Sequence, residues 1–147
     1  MLEGSKNAES FARQMLADAF ELVRSGWCQG MSAQDEMGRA IEPSSAFARA
    51  WSASGALERV WRRTSREDAE LALEAFERAN LALAAVVKDV PSRWNDGCDC
   101  TRETVLEALV VAERLLCADA EASVAEDLLD DVDRYQQIPT FLSEQTA

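Results

Sequence analysis

Apolar residues recur at every third or fourth position in five segments of this chain, and this spacing is typical of helices that bury one face. Residues 88–100 are expected to form a loop, and residues 26–43 hold the only strand candidates, so strands can contribute little to the fold. The sequence therefore predicts an all-α protein, a small bundle of about five helices. We expect these helices over residues 8–25, 43–61, 65–87, 101–116 and 119–136.

Residues 26–43 lie between the first two predicted helices and have a different character. They hold three of the chain's six glycines, and residues 35–38 are typical of a turn. The segments 27–33 and 39–41, on either side of that turn, are candidate strands of a small hairpin. We therefore predict a short irregular or β-hairpin insertion between helices 1 and 2.

Two glycines border or interrupt the predicted helices. Gly26 follows the first helix, where we expect a left-handed residue that ends it. Gly55 lies inside the second helix, where a glycine costs about 1 kcal/mol relative to alanine. We expect that glycine is needed at this position despite the cost, because another backbone packs closely against Gly55.

The chain has 147 residues, which favours a single domain, because domains of about 100–200 residues are common. We expect that domain over residues 1–147, with a core of about 8–136 and a loosely ordered tail at 137–147. The N-terminal sequence lacks a secretory pattern, and the longest apolar run, residues 81–87, is far shorter than the ~20 residues of a membrane span. We therefore expect a cytoplasmic protein that does not enter a membrane.

The charge and the residue types exclude several classes of function. Twenty-seven acidic residues against 15 basic ones give a net charge of −12, which repels nucleic acid and anionic membranes. The chain has no histidine, so Ser-His-Asp and Cys-His catalysis and histidine-bound metals are excluded. The cysteines at 28, 98, 100 and 117 lack the paired spacing of a zinc site, and we expect free thiols. We expect no metal and no cofactor, and the sequence leans away from an enzyme.

Three stretches combine tryptophan with small or polar residues. Residues 26–30 read Gly-Trp-Cys-Gln-Gly, residues 50–57 read Ala-Trp-Ser-Ala-Ser-Gly-Ala-Leu, and residues 94–96 read Trp-Asn-Asp. Each has an ordinary structural interpretation, because tryptophan fills a core, small residues allow close helix packing, and Asn and Asp satisfy nearby backbone groups. Their joint occurrence also suggests a polar site lined by tryptophan.

With residues 33–38, which read Ala-Gln-Asp-Glu-Met-Gly, these stretches resemble a family of small bacterial and phage-associated proteins that have a domain of unknown function. The family pattern looks like G-W-[TC]-Q-G, A-x-D-x-x-G, W-C-x-x-G-A-L and W-N-D, in that order. The resemblance covers roughly residues 8–116 and implies no particular activity. Ser52 stands where the family tends to have cysteine, so the resemblance does not support a thiol nucleophile there.

The same stretches define one candidate ligand-binding cluster. We expect its three tryptophans to lie near one another, with Gln29 and Asp96 hydrogen-bonded at their edge. Two interpretations are open: a hydrogen-bonded network that holds the insertion in place, or a binding or catalytic pocket with Asp35 or Asp96 as a general base. The candidate residues are Trp27, Gln29, Asp35, Trp51, Trp94, Asn95 and Asp96.

The C-terminal segment carries much of the negative charge. Residues 119–147 contain eight acidic residues and one basic residue, Arg134. This can be a solvated face, a surface that docks on a basic partner, or a partner for the arginines at residues 59–66. The candidate partner-binding residues are Glu126, Asp127, Asp130, Asp131 and Asp133.

Two functional hypotheses follow from these features. The first is a non-enzymatic adaptor or regulatory protein, phage- or defence-related, whose acidic face binds another protein with a basic surface. The second is a small-molecule-binding or hydrolytic domain that uses the tryptophan-lined cluster. They differ in whether the polar side chains of the cluster face an open cleft or satisfy one another.

Overall fold

The computed structural model describes residues 2–66 and 68–128. Over these ranges the chain is mostly helical, so the predicted all-α bundle of about five helices is confirmed. None of the helices in the described ranges has the length and apolar character that a membrane span requires. The helices are α1 (Leu2–Ser25), α2 (Ala53–Thr64), α3 (Ala69–Val87), α4 (Pro91–Asn95) and α5 (Arg102–Leu128).

The chain divides into two compact units, of which the first ends at Leu116 and the second begins at Cys117. The structure describes residues 117–128 of the second unit, and they belong to α5. The predicted start of a separate helix at Asp119 is therefore wrong, because no glycine or proline interrupts the chain there. The expected single domain stays a prediction, and its predicted tail at 137–147 lies outside the described residues.

The core of the first unit forms where α1 packs against α2 and α3, and where these two helices pack against each other. Alanines such as Ala12, Ala56 and Ala79 are fully buried and let the helices approach closely. Larger side chains fill the space between them, and each contributes roughly 1.5–3 kcal/mol when fully buried. These are Met15, Leu16, Val23, Leu57, Val60, Leu83, Val105 and Leu109.

The predicted hairpin insertion between α1 and α2 is confirmed, with a different second strand. Strand β1 (Ala33–Gln34) pairs antiparallel with strand β2 (Ala50–Trp51), so that Ala33 lies opposite Trp51. The turn at residues 35–38 is present, because the Asp35 amide donates to the Arg39 carbonyl at 2.9 Å. Its far side contributes an isolated bridge at Ala40, and the second strand begins only at Ala50.

Helix α2 begins later in the chain than predicted. The predicted start near residues 43–45 is wrong. Its first residue is Ala53, and the Ser52 hydroxyl caps it by accepting the Gly55 amide at 3.0 Å. The Pro-Ser-Ser sequence that suggested a helix start instead forms turns, in which the Ser45 amide donates to the Glu42 carbonyl. Residues 50 and 51 are held in the sheet, so the helix cannot include them.

The two glycines named above are both sites of close backbone approach. A Cβ on Gly55 would lie 1.9 Å from the Ser32 carbonyl oxygen, so the expected close contact is confirmed. Gly26 is not left-handed, and that expectation is wrong; the left-handed glycines of the described residues are Gly30 and Gly38. A Cβ on Gly26 would lie 2.2 Å from the Arg49 carbonyl oxygen, which explains why glycine is needed there.

Candidate functional site

Asn95 is fully buried at the end of α4 and is the centre of the candidate cluster. Its Oδ1 accepts hydrogen bonds from the Trp27 indole Nε1 at 2.9 Å and from the Ala53 amide at 3.0 Å. Its Nδ2 donates to the Cys28 carbonyl at 3.1 Å and to Asp96 Oδ1 at 3.2 Å. An asparagine side chain offers two acceptor and two donor positions, and here all four are used.

Gln29 and Asp96 extend this network to the surface. Gln29 Nε2 donates to the Asn95 carbonyl at 2.9 Å and to the Gly97 carbonyl at 3.0 Å. Asp96 Oδ1 accepts the Gly30 amide at 2.8 Å. The structure thus brings together Trp27, Gln29, Asn95 and Asp96, which we call the Asn95 cluster.

The Asn95 cluster connects three separate parts of the chain. Its bonds join the segment after α1, the first residue of α2 and the end of α4. Helix α4 in turn contacts α2 and α3. A network with every central donor and acceptor satisfied fixes the start of the insertion on the helices.

Trp51 and Trp94 are placed differently from Trp27. Trp51 is bridged to Trp27 through the backbone, but its indole Nε1 donates to the Pro43 carbonyl at 3.0 Å. The guanidinium of Arg59 lies over the Trp51 ring, 5.1 Å from its centroid. Trp94 is partly buried and packs against the hydrophobic core.

Asp35 makes its hydrogen bonds within its own turn. Its Oδ1 accepts the amides of Met37 and Arg39, both at 2.9 Å, and its Oδ2 accepts Arg39 Nε at 3.1 Å. The hydrogen bond from the Arg39 amide is the largest cause that holds the pKa of Asp35 below its ordinary value. Asp35 therefore stabilises the turn as a carboxylate, and these bonds do not link it to the Asn95 cluster.

Neither Cys28 nor Ser52 is an activated nucleophile. Burial, and after it the negative charge of Asp96, raises the pKa of the Cys28 thiol to about 11. Cys28 is therefore protonated near neutral pH and unreactive as a nucleophile. Ser52 is buried and its hydroxyl caps α2. The part of the chain that the structure describes has no group of three or more side chains placed to hold a metal ion.

A second feature of the insertion was missed by the sequence analysis. A cleft of about 410 Å³ opens beside the 35–38 turn, and two large apolar side chains on it are solvent-exposed, Met37 by 75% and Phe47 by 70%. Phe47 falls within the helix predicted over residues 43–61, where its spacing favours a buried position, but this prediction is wrong because the helix begins at Ala53. The lining residues are Asp35, Glu36, Met37, Arg39, Ile41, Phe47 and Arg49.

The predicted acidic face falls on residues whose side chains lie outside those that the structure describes. Glu126 and Asp127 belong to α5, but their side chains are not among those described. Asp130, Asp131 and Asp133 lie outside the described residues altogether. The acidic face stays a prediction from charge alone.

The fold and the cluster define a class of protein, a helical bundle whose first connection is held by an asparagine-centred network. The chain belongs to the family of unknown function DUF6197, whose model matches residues 11–115. The predicted membership in a family of unknown function is thereby confirmed, and the matched range contains both the Asn95 cluster and the cleft. No curated protein and no solved structure matches the chain.

Proposed function

We propose that this protein is a non-enzymatic adaptor that binds another protein. The observation that carries the proposal is the complete use of the Asn95 side chain within the chain itself. In a closed network of this kind the polar groups bond within the chain and hold the insertion in place. None at its centre remains to bind a ligand. The insertion is thereby held in one shape, which lowers the entropy cost of binding a partner.

The alternative, a small-molecule-binding or hydrolytic domain, requires Asp35, Asn95 and Asp96 around one open cleft. Asp35 bonds within its own turn, whereas Asn95 and Asp96 bond the backbone of residues 28–30. A general base has to reach a substrate proton, and a carboxylate held in a turn by three hydrogen bonds is poorly suited to that role. These contacts support the adaptor over the pocket.

We further propose a setting and a partner for the adaptor. The motif resemblance supports a bacterial protein with a phage- or defence-related role. Cys28, Cys98 and Cys100 are not joined in disulfides, which supports the cytoplasm as the compartment we propose. The partner we propose for the acidic segment is a protein with a basic surface, because residues 119–147 carry eight acidic residues and one basic residue.

Affinity capture from the native host, followed by mass spectrometry and titration calorimetry with the purified partner, tests the proposal. Replacing Asp127, Asp130 and Asp131 by Asn should weaken binding at least tenfold and leave the melting temperature equal or higher. Binding of the wild type should also weaken as salt shortens the ~10 Å screening length of 0.1 M solution. A triple variant that binds as tightly as the wild type, or that melts well below it, contradicts binding through the acidic face.

A matched control changes the charge by the same amount elsewhere. Three exposed glutamates on α3 and α5 serve this purpose when they are replaced by Gln. The control should keep the wild-type affinity, since only the location of the charge differs. The three residues are Glu70, Glu77 and Glu107.

A further inference from the structure

Two arginines are held against the same loop, residues 43–48, which leads into strand β2. Arg49 Nη1 donates to two carbonyls of this loop, both at 3.0 Å. Arg59 reaches the loop from α2, and its Nη1 donates to two other carbonyls there, at 2.8 and 3.0 Å. Because the four carbonyls belong to one short loop, the fold brings the two guanidinium groups together.

Arg63 adds a third guanidinium group at this place. It follows Arg59 by four positions on α2, so the two side chains leave one face of the helix one turn apart. Burial first, and then the charges of Arg63 and Arg49, hold the pKa of Arg59 below its ordinary value. A pKa lowered in this way is the effect of like charges that lie near one another. We call Arg49, Arg59 and Arg63 the arginine cluster.

The arginine cluster has no carboxylate partner among the residues that the structure describes. Six other arginines form ion pairs there, and none of these pairs includes a member of the cluster. The chain has 27 acidic residues for 15 basic ones, so three neighbouring arginines that pair with none of the described carboxylates are unexpected. Because like charges repel, an anion bound from solution would stabilise this arrangement.

The carboxylates that lie next to the arginine cluster are placed so that they do not pair with it. Two of them, Glu36 and Glu42, are exposed, and neither forms an ion pair with the cluster. Three others accept hydrogen bonds from side chains outside the cluster, so their charge is already engaged. These are Asp18, bonded by Gln14, Asp35, bonded by Arg39, and Glu58, bonded by Arg62.

The arginine cluster also has the donor geometry that an oxyanion requires. In Arg49 and Arg59 the bonds to the loop use Nη1 alone, so the edge with Nε–H and Nη2–H has no partner among the described residues. This edge donates two parallel hydrogen bonds to a carboxylate or a phosphate. The Arg59 guanidinium is also fixed over the Trp51 ring, 5.1 Å from its centroid, so little freedom is lost on binding. Arg49 and Arg63 are exposed, which lets an anion reach the cluster from solvent.

We propose that the arginine cluster binds a phosphate group, either as inorganic phosphate or as part of a small phosphorylated molecule. A phosphate group carries a charge of about −1.5 to −2 near pH 7 and three strong acceptor oxygens, so it can meet all three guanidinium groups at once. A carboxylate has one charge and two oxygens and cannot do the same. The net charge of −12 is spread over the chain and is screened beyond ~10 Å in 0.1 M salt, so the local charge decides binding.

Calorimetric titration of the full-length protein with inorganic phosphate and with ADP, in 0.1 M sodium chloride at pH 7.5, tests the proposal. We expect saturable binding of at least one of the two probes, with a dissociation constant below about 1 mM. Tighter binding of ADP assigns the site to a phosphorylated molecule, and equal or tighter binding of phosphate assigns it to the free anion. The bound probe should also raise the melting temperature above that in sodium chloride of the same ionic strength.

Two variants connect the binding to the arginine cluster. The double variant Arg59→Gln, Arg63→Gln should bind the preferred probe at least tenfold more weakly. Arg59 also holds the loop, so the single variant Arg63→Gln, at an exposed position, keeps the test valid if the double variant folds poorly. We expect this single variant to bind at least threefold more weakly, with the circular dichroism spectrum of the wild type.

A charge-matched control replaces Arg24 and Arg93 by Gln. Both are exposed and are paired with carboxylates on their own helices, outside the arginine cluster. The control should bind the probe as the wild type does. The proposal is overturned if neither probe binds saturably, if the cluster variants bind as tightly as the wild type, or if the control loses as much affinity as they do. The adaptor function does not depend on this site, so none of these results affects it.

Discussion

Two regions of the insertion between α1 and α2 use their side chains in opposite ways. The first is the segment held by the Asn95 cluster, and the second contains Met37 and Phe47. In the Asn95 cluster, the buried amide bonds Trp27, Ala53 and the backbone of Cys28. On the cleft beside the 35–38 turn, Met37 and Phe47 expose most of their area to solvent. The first region therefore stabilises the fold, whereas the side chains of the second make little contact with the rest of the chain. Substitutions in the Asn95 cluster should therefore reduce the free energy of unfolding, whereas substitutions of Met37 and Phe47 should affect only binding.

The largest effect is expected from Asn95→Ala. It leaves the Trp27 indole N–H, the Ala53 amide and the Cys28 carbonyl without their partner, and each unsatisfied buried group costs about 1–3 kcal/mol. We expect the free energy of unfolding to fall by about 3–5 kcal/mol in urea denaturation. The control Ser92→Ala, at an exposed position of α4, should change it by less than about 0.5 kcal/mol. A loss below about 1 kcal/mol for Asn95→Ala would show that the network is not structural.

The next largest effect is expected from Gly55→Ala, where α2 meets the insertion. Alanine normally favours a helix by about 1 kcal/mol over glycine. Here the new Cβ would lie 1.9 Å from the Ser32 carbonyl, so we expect a net loss of about 2 kcal/mol instead. The neighbouring Ser54→Ala should stay within about 0.5 kcal/mol of the wild type. An alanine variant that melts at or above the wild-type temperature would refute the close contact.

The thiol of Cys28 gives a chemical probe of the segment that the Asn95 cluster holds. Its pKa is raised from an ordinary value of 9.0 to about 11, so iodoacetamide at pH 8 should alkylate it at least tenfold more slowly than exposed Cys98. The folded pKa lies above the unfolded one, so this thiol's stabilising contribution is complete below pH 9 and lost as the pH rises through about 11. Peptide mass spectrometry measures the two rates. Equal rates in the folded protein would contradict the burial of Cys28, and equal rates after denaturation are the control.

The smallest effect is expected from Phe47→Ser on the cleft beside the 35–38 turn. Its side chain is 70% exposed, so the variant should keep the wild-type free energy of unfolding within about 0.5 kcal/mol. Met37→Ser, at 75% exposure, should behave in the same way. Thermal denaturation by circular dichroism measures both. A loss above about 1.5 kcal/mol would mean that these two side chains, like the Asn95 cluster, stabilise the fold.

The sequence predicts the parts of the fold that depend on neighbouring residues. Helical periodicity locates α1, α3 and the start of α5. Thr101, the first residue of the helix predicted over 101–116, caps α5, since its Oγ1 accepts the Thr104 amide at 3.2 Å. The turn at residues 35–38 follows from its residue types, and Gly38 there has a φ of 81°. The cost of glycine in a helix correctly indicates a close contact at Gly55.

The sequence does not predict the parts that depend on distant residues. Strand β2 is only two residues long and exists because it pairs with β1 and the segment after α1, so no alternation marks it. Because the sequence does not mark this strand, the helix predicted over residues 43–61 wrongly includes Phe47. Asn95 stands out by residue type, but its bond to Trp27 spans 68 positions of the chain. The grouping of Asp35 with Asn95 is likewise not supported by hydrogen bonds, because Asp35 bonds its own turn.

The exchange rates of the tryptophan indole protons with water, measured by NMR, test the central claim most directly. In the wild type, the Trp27 proton donated to Asn95 and the Trp51 proton donated to the Pro43 carbonyl should both exchange slowly. In Asn95→Ala, under conditions where the protein stays folded, the Trp27 proton should exchange at least tenfold faster while the Trp51 proton stays protected. A Trp27 proton that exchanges rapidly in the wild type, or that is unaffected by the substitution, would contradict the account.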